Sequence, residues 1–221
     1  MVDTTLLASV ELFQEFTPEE LAELAESSAR RSLFRNDVIF TEGDEPAELF
    51  VVLSGRIAIA NKSIDGRESM VALMERGDLF GEMGLFDGQG RSAEARALEP
   101  SEVLVFPYGP LRTTYEHRPA LLWDVVTLLA NRIRTTDVAL ADSVFLDVTG
   151  RTAKRLLELA GDAEEFTLPI TQEELAGMVG ASRERVNKAI ALFVKLGWLE
   201  ISGRSRYRIV NREELEIRAT L

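Results

Sequence analysis

The pattern of apolar and polar positions along this 221-residue chain changes period as it is read. TPEELAELAESSA (17–29) has Thr17 before Pro18 and Glu20 three residues on, a capping-box signature that predicts a short helix. From about Leu33 to Phe106 come short runs, DVIFTEG, ELFVVLSG, RIAIAN, SMVALMERG, DLFGE, AEARAL and EVLVFP, broken by Gly, Pro or Asp-Gly. Strands this closely spaced predict an antiparallel barrel or roll. After Pro119 the pattern turns helical. Leu122, Val126, Leu129, Ile133, Thr136 and Leu140 recur at alternating steps of four and three, a heptad seam along which two helices pair. The seam predicts a homodimer; packing of the stripe on the strand region is the alternative. Thr136 is polar where its neighbours are apolar, which costs stability unless it sets register or meets a polar partner.

The last third has its own pattern. TQEELAGMVG opens with a second capping box, Thr171 with Glu174, and turns at Gly180. SRERVNKAIALFVKLG starts at a Ser182 N-cap and stops before Gly197. Two short helices about a Gly-containing turn predict a helix-turn-helix. With Val186, Ile190 and Phe193 inward, Arg183, Glu184, Asn187 and Lys188 face outward near the end that enters the major groove in this motif. Arg and Lys pair with guanine and Glu accepts from cytosine, so these residues suit direct reading of G·C pairs in double-stranded DNA. Ser182, Arg185 and Thr171 are assigned to phosphate contacts or to capping. WLEISGRSRYRIVN predicts a winged hairpin around Gly203, with Arg204, Arg206 and Arg208 at backbone phosphates. DNA binding is then strongly salt-dependent. The alternative is a solvated face on which Glu184 and Lys188 form an i,i+4 pair.

Charge sharpens this division. The formal net charge is −12, but residues 1–150 hold 13 Lys and Arg against 26 Asp and Glu, while residues 151–221 hold 12 against 11. Within Gly177–Arg212 eight basic residues face only Glu184 and Glu200, a candidate anion-binding face on an acidic protein. A chain with 46% hydrophobic and 28% charged residues is ordinary for a globular protein and long enough for two modest domains. No apolar run reaches the length of a membrane span, and MVDTTLLASVELF lacks the order of a signal peptide, so a cytoplasmic location without membrane contact is expected. The absence of cysteine removes disulfides, iron-sulfur clusters, thiolate zinc and cysteine nucleophiles. The single histidine, His117 before Arg118-Pro119, reads as a solvated loop or helix-start residue. Neither a metal site nor a Ser-His-Asp triad is supplied, and the chain is not expected to be an enzyme.

One segment calls for a ligand. GEMGLFDGQGRS (81–92) holds four glycines, Glu82 and an Arg91-Ser92 pair. Glycines such as Gly81 let the backbone approach a ligand and take up positive φ. Arg91 offers a planar fork of donors and Ser92 a hydroxyl, both suited to phosphate oxygens. Glu82 repels phosphate but accepts from a sugar hydroxyl, the ribose 2′-OH being the match. Together they describe a nucleotide pocket, against the alternative of a surface salt-bridge arginine beside a turn serine.

GDLFGEMGLFDGQGRSAEARAL resembles the phosphate-binding cassette of the cyclic-nucleotide-binding domain. With FLDVTGRTAKRLLELA and ITQEELAGMVGASRERVNKAI following in order, nearly the whole chain resembles the CRP/FNR family of transcription regulators. The resemblance implies an α+β fold: an N-terminal antiparallel β-roll cyclic-nucleotide-binding domain over 1–117, a dimerisation helix and hinge over 118–146, and a C-terminal winged helix-turn-helix domain over 147–221. It implies cyclic AMP as allosteric ligand, with Glu82 on the ribose 2′-OH and Arg91 and Ser92 on the cyclic phosphate. It implies Thr136 and Asp137 at the adenine where two subunits join, and RNA polymerase as a partner. Asp137 departs from the family's Ser or Asn, since it accepts from an amine but cannot donate. Arg183, Glu184 and Lys188 fall where the family reads a TGTGA-like half-site, Lys188 standing where an Arg is usual. A regulator that binds DNA constitutively or answers another effector is the nearer rival, and a cyclic-nucleotide regulatory subunit or hydrolase the further one.

Overall fold

The computed structural model describes residues 4–64, 68–203 and 205–220. These form two compact units, one of residues 4–64 with 71–134 and the other of residues 68–70 with those from 135 onward. In chain order the elements up to the long helix are α1 (Thr4–Ser9), α2 (Pro18–Ser27), β1 (Ala29–Leu33), β2 (Val38–Phe40), β3 (Glu48–Ser54), β4 (Ile57–Lys62), β5 (Glu68–Met74), β6 (Leu79–Phe80), α3 (Met83–Asp87), β7 (Glu94–Ala97), β8 (Ser101–Pro107), α4 (Tyr108–His117) and α5 (Leu122–Phe145). They continue with α6 (Val148–Ala160), β9 (Glu165–Thr167), α7 (Gln172–Val179), α8 (Arg183–Lys195), β10 (Leu199–Ser202), β11 (Arg206–Ile209) and α9 (Arg212–Arg218).

The expected β-roll consists of two four-stranded sheets, ordered β1-β8-β3-β6 and β2-β7-β4-β5. The strand pairs β1·β8, β3·β8, β3·β6, β2·β7 and β4·β7 are antiparallel. ELFVVLS is an unbroken apolar run because β3 is covered on both faces. Its Leu49, Val51 and Leu53 join a core with Phe13, Leu104, Phe106, Leu111 and Tyr115, while Phe50 and Val52 join another with Ile57, Phe80, Ala95 and Val103. The capping box on α2 is formed, with Thr17 and Glu20 each bonded to the other's backbone. DLFGE is strand only at Leu79–Phe80; the chain then turns and enters the short helix α3, because Gly81 takes φ +78°. Against the loop or helix-start reading, His117 is the last residue of α4, with Nδ1 2.8 Å from the Thr113 carbonyl oxygen.

On α5, Val125 and Leu128 are buried in the first unit's core, whereas Leu122, Val126, Ile133 and Leu140 stand 41–63% exposed. The helix thus has one apolar stripe for its own chain and a second, uncovered one for a partner. The packing-only alternative for the seam fails for these four residues.

In the second unit, α7 and α8 form the predicted helix-turn-helix. Thr171 caps α7 through the Glu174 amide and is itself reached by the Glu174 side chain, and Gly180 ends the helix at φ +66°. Ser182 caps α8 through the Arg185 amide. Val186, Ile190 and Phe193 are buried, as their spacing required. The wing pairs β10 with β11 about Gly203 (φ +68°), and β9 adds a third strand that the sequence pattern did not show.

Candidate functional site

The glycine-rich segment folds back on Glu48 of β3 and Tyr108 of α4, and its Glu82 and Arg91 line one cavity of about 60 Å³, with Phe40, Phe80, Ser92 and Arg132. Gly81 is required there twice over: its φ is left-handed, and a Cβ would lie 2.8 Å from Arg91 Nη1 and 3.2 Å from the Phe50 ring. Arg91 is 8% exposed. Its Nη1 donates to the Gly81 carbonyl at 2.6 Å and to the Tyr108 hydroxyl at 3.2 Å, its Nη2 to the Glu48 carbonyl at 2.7 Å, and its guanidinium sits 4.2 Å from the Phe40 ring centroid. Tyr108 in turn donates to the Gly81 carbonyl. These contacts lock the fork before any ligand arrives. Ser92 is exposed, with Oγ 3.7 Å from Met83 Sδ.

Glu82 is fully buried and its Oε1 is paired to Arg132 Nη1, whose Nη2 donates to the Leu79 carbonyl at 2.9 Å. Burial pushes the Glu82 carboxyl above the ordinary carboxylate range, against the opposing pull of the Arg132 and Arg91 cations. Burial likewise raises the Tyr108 phenol, with the Arg91 cation opposing. Two buried atoms of this site have no hydrogen-bond partner among the described residues: Nε of Arg91, a cationic donor, and Oε2 of Glu82, an anionic acceptor. Each carries a desolvation cost that a ligand with a phosphate and a hydroxyl would relieve.

Arg132 was missed by the sequence pattern. It lies 50 residues from Glu82 and looks like a solvated helix residue; its one local clue is that Thr136, four positions on, shares its helix face. Arg132 also bounds the cavity and holds Glu82 Oε1 at its edge. Thr136 and Asp137 are exposed on α5, in the second unit.

The raised Glu82 carboxyl makes a stability prediction. A carboxyl whose folded-state pKa lies above its unfolded value adds stability below the unfolded value and loses it as pH rises through the folded one. The Glu82→Gln variant, which never ionises, is therefore expected to match the parent near pH 4 and to gain in relative melting temperature between pH 4.5 and 7. Thermal melts across that range, without nucleotide, check it. A lower melting temperature for the Glu82→Gln variant throughout would mean that the Arg132 pair outweighs burial.

In the second unit, Arg183, Glu184, Arg185 and Lys188 are exposed at the start of α8. Lys188 Nζ donates to Glu184 Oε1 at 2.6 Å, the i,i+4 pair that the alternative reading foresaw. With both side chains about three-quarters exposed the pair is weak and breaks readily for base edges. The Lys188 hydrogen bond and charge hold the Glu184 carboxyl below its usual range. Asn187 is not outward as expected: it is half-buried, and its Oδ1 is buried without a partner among the described residues. The reason is its position between the buried Val186 and Ile190 on the flank of the inward face. Thr171 and Ser182 are helix caps. On the wing, Arg206 is exposed and Arg208 lies 3.6 Å and 3.7 Å from Glu165 and Glu200; Arg204 lies outside the described residues.

No helix among the described residues is long and apolar enough to cross a membrane, and no group of three or more His, Cys, Asp or Glu among them is placed to hold a metal ion.

Two known domains match the chain. The cyclic nucleotide-binding domain matches residues 30–118, and the Crp-like helix-turn-helix domain matches residues 150–218. The CRP-like cAMP-activated global transcriptional regulator of Mycobacterium tuberculosis is 36% identical over 207 residues, 90% of this chain and 92% of its own. The cAMP-activated global transcriptional regulator Vfr of Pseudomonas aeruginosa is 33% identical over 192 residues, 82% of this chain and 89% of its own. Among solved structures, the c-di-GMP responsive global regulator CLP of Xanthomonas campestris matches with a TM-score of 0.76 at 25% identity, covering 87% of this chain and 99% of that one. With a cyclic nucleotide-binding domain in its first part, a Crp-like helix-turn-helix in its last and an exposed apolar seam on α5, the chain belongs to the CRP/FNR family of dimeric, DNA-binding transcription regulators, which work with RNA polymerase and are not enzymes.

Proposed function

We propose that this regulator is switched by cyclic AMP and reads a TGTGA-like palindrome as a dimer in the cytoplasm. The observation that carries the reading is the pair of orphaned atoms in the cavity, Arg91 Nε and Glu82 Oε2. A cyclic phosphate supplies the acceptor that Arg91 lacks, with Ser92 adding a donor, and a ribose 2′-OH supplies the donor that Glu82 lacks. Gly81 keeps the wall thin enough for that approach. Thr136 and Asp137 of the seam helix meet the base. Residues 118–146 serve as the dimerisation helix and hinge between the 1–117 and 147–221 domains, and ligand binding biases that segment toward the state in which both α8 helices fit one DNA turn apart. To carry the equilibrium from almost wholly inactive to almost wholly active, the ligand must favour that state by about 5.5 kcal/mol. On DNA, Arg183, Glu184 and Lys188 read base edges. Arg185, Arg204 and Arg206 meet phosphates; Thr171 and Ser182 hold the two helices in shape, and Asn187 supports α8.

Asp137 favours a second reading, in which the effector is another nucleotide, because a carboxylate changes the hydrogen bonds offered to the base. The experiment is a fluorescence-anisotropy titration of a palindromic TGTGA/TCACA duplex at fixed salt, with cyclic AMP, cyclic GMP and cyclic di-GMP in parallel. DNA affinity is expected to rise steeply with cyclic AMP alone. High affinity without ligand, or a response to another of the three, would replace the cyclic AMP reading.

A further inference from the structure

We infer that Arg132 is shared between two carboxylates, Glu82 of its own chain and Asp137 of the second copy, so that pairing of the α5 helices draws the cation off the pocket glutamate. The seam sets the register: Val126, Ile133 and Leu140 take one core position of the heptad and Leu122, Leu129 and Thr136 the other. Arg132 immediately precedes a core position and Asp137 immediately follows one, so they occupy the two flanking positions through which paired helices exchange ion pairs. Two α8 helices meet one duplex only when the α5 helices run the same way, and in such a parallel pair the first flanking position of one helix lies beside the second flanking position five residues further along the other. Arg132 and Asp137 are five apart. Within a single helix that spacing does not bring side chains together, since neighbours stand three or four apart. The remaining flanking positions of α5, Trp123, Val125, Ala130, Ala139 and Val144, carry no charge, so the two charged ones complement each other and nothing else along the seam.

The surroundings fit. The seam residues Val126, Ile133 and Leu140 are 52%, 62% and 63% exposed in the single chain, ready for a second copy. The Arg132 side chain is 33% exposed while holding Glu82, so a partner carboxylate can reach it. Asp137 is exposed and makes no ion pair among the described residues. A two-fold axis gives the contact twice per dimer. Besides the base contact proposed for it above, Asp137 then acts on the pocket through Arg132 as a positioning residue, coupling assembly of the dimer to release of the carboxylate that accepts the sugar hydroxyl. That consequence rests on the nucleotide reading of the cavity; the ion pair itself does not.

The test is a double-mutant cycle on the dimer dissociation constant of the full chain, measured without nucleotide by fluorescence-detected sedimentation, for the parent, Asp137→Asn, Arg132→Gln and both together. Each single substitution is expected to weaken the dimer about threefold to tenfold, as two exposed ion pairs allow, with the double no weaker than the worse single and Asp137→Glu restoring most of the loss. Additive losses, or an Asp137→Asn dimer as tight as the parent or tighter, would overturn the proposal, the latter meaning that the two aspartates repel across the seam. Cyclic AMP is then titrated at dimer-saturating protein. Coupling in the cycle with no cyclic AMP binding to any form, the parent included, keeps the ion pair and removes the nucleotide reading.

Discussion

Arg91→Ala is expected to lose cyclic AMP binding by at least about 30-fold, the lower end of the 2–5 kcal/mol cost of truncating one partner of a buried, hydrogen-bonded charge pair. Arg91 is the buried cation of the cavity, with its fork held on the Gly81 and Glu48 carbonyls and its plane over Phe40, leaving Nε without a partner. Preorganisation makes the loss large, because the protein has already spent the side-chain entropy of a rotamer-rich arginine in the folded state. Alanine removes both the charge and the direction of the donors. Arg91→Lys keeps the charge without the fork and is expected to fall between the two. Isothermal titration calorimetry with cyclic AMP reads the affinities, and circular dichroism checks that the β-roll survives the loss of three anchoring bonds. Parent-like affinity for a folded Arg91→Ala variant would put the phosphate elsewhere.

The second large effect is on DNA. Arg183 is exposed at the first turn of α8 and is engaged in no ion pair among the described residues, so its fork is available to a guanine edge. Arg183→Ala is expected to cost about 1–3 kcal/mol on a TGTGA duplex and to relax the preference at one G·C position. Arg206→Ala on the wing should weaken binding uniformly across sequences and lower the salt slope by about one. Competition binding on single-base variants of the duplex, with ligand and at two salt concentrations, separates base reading from phosphate anchoring. If Arg183→Ala weakened every duplex equally, Arg183 would be a phosphate contact and base reading would rest on Glu184 and Lys188.

These expectations lean unevenly on sequence and on structure. Features set by a few consecutive residues were legible. Thr17 with Glu20 and Thr171 with Glu174 are closed hydrogen-bonded loops of four residues, and Gly180 and Gly203 permit the positive φ their turns need. The inward face of α8 follows from the 3.6-residue period alone. Glu82, Arg91 and Ser92 stand within one segment, so their chemistry could be weighed together.

Tertiary structure decided what depends on distant residues. DLFGE has strand composition throughout, yet it is strand only where β6 pairs with β3, and whether an apolar run finds such a neighbour is not written in the run itself. The α5 stripe could pack at home or on a partner. The structure divides the helix between the two, since Val125 and Leu128 fit the core left by α4 and the sheet, with Leu129 packed at its edge, while the seam residues Leu122, Val126, Ile133 and Leu140 stay exposed. Arg132 joins Glu82 across 50 residues, a distance at which no spacing rule operates. Charge and hydrogen-bonding capacity belong to the residue and can be read from its letter. Burial and partners belong to the fold, and they turned Glu82 from an available carboxylate into a buried, ion-paired one with a single oxygen left to offer.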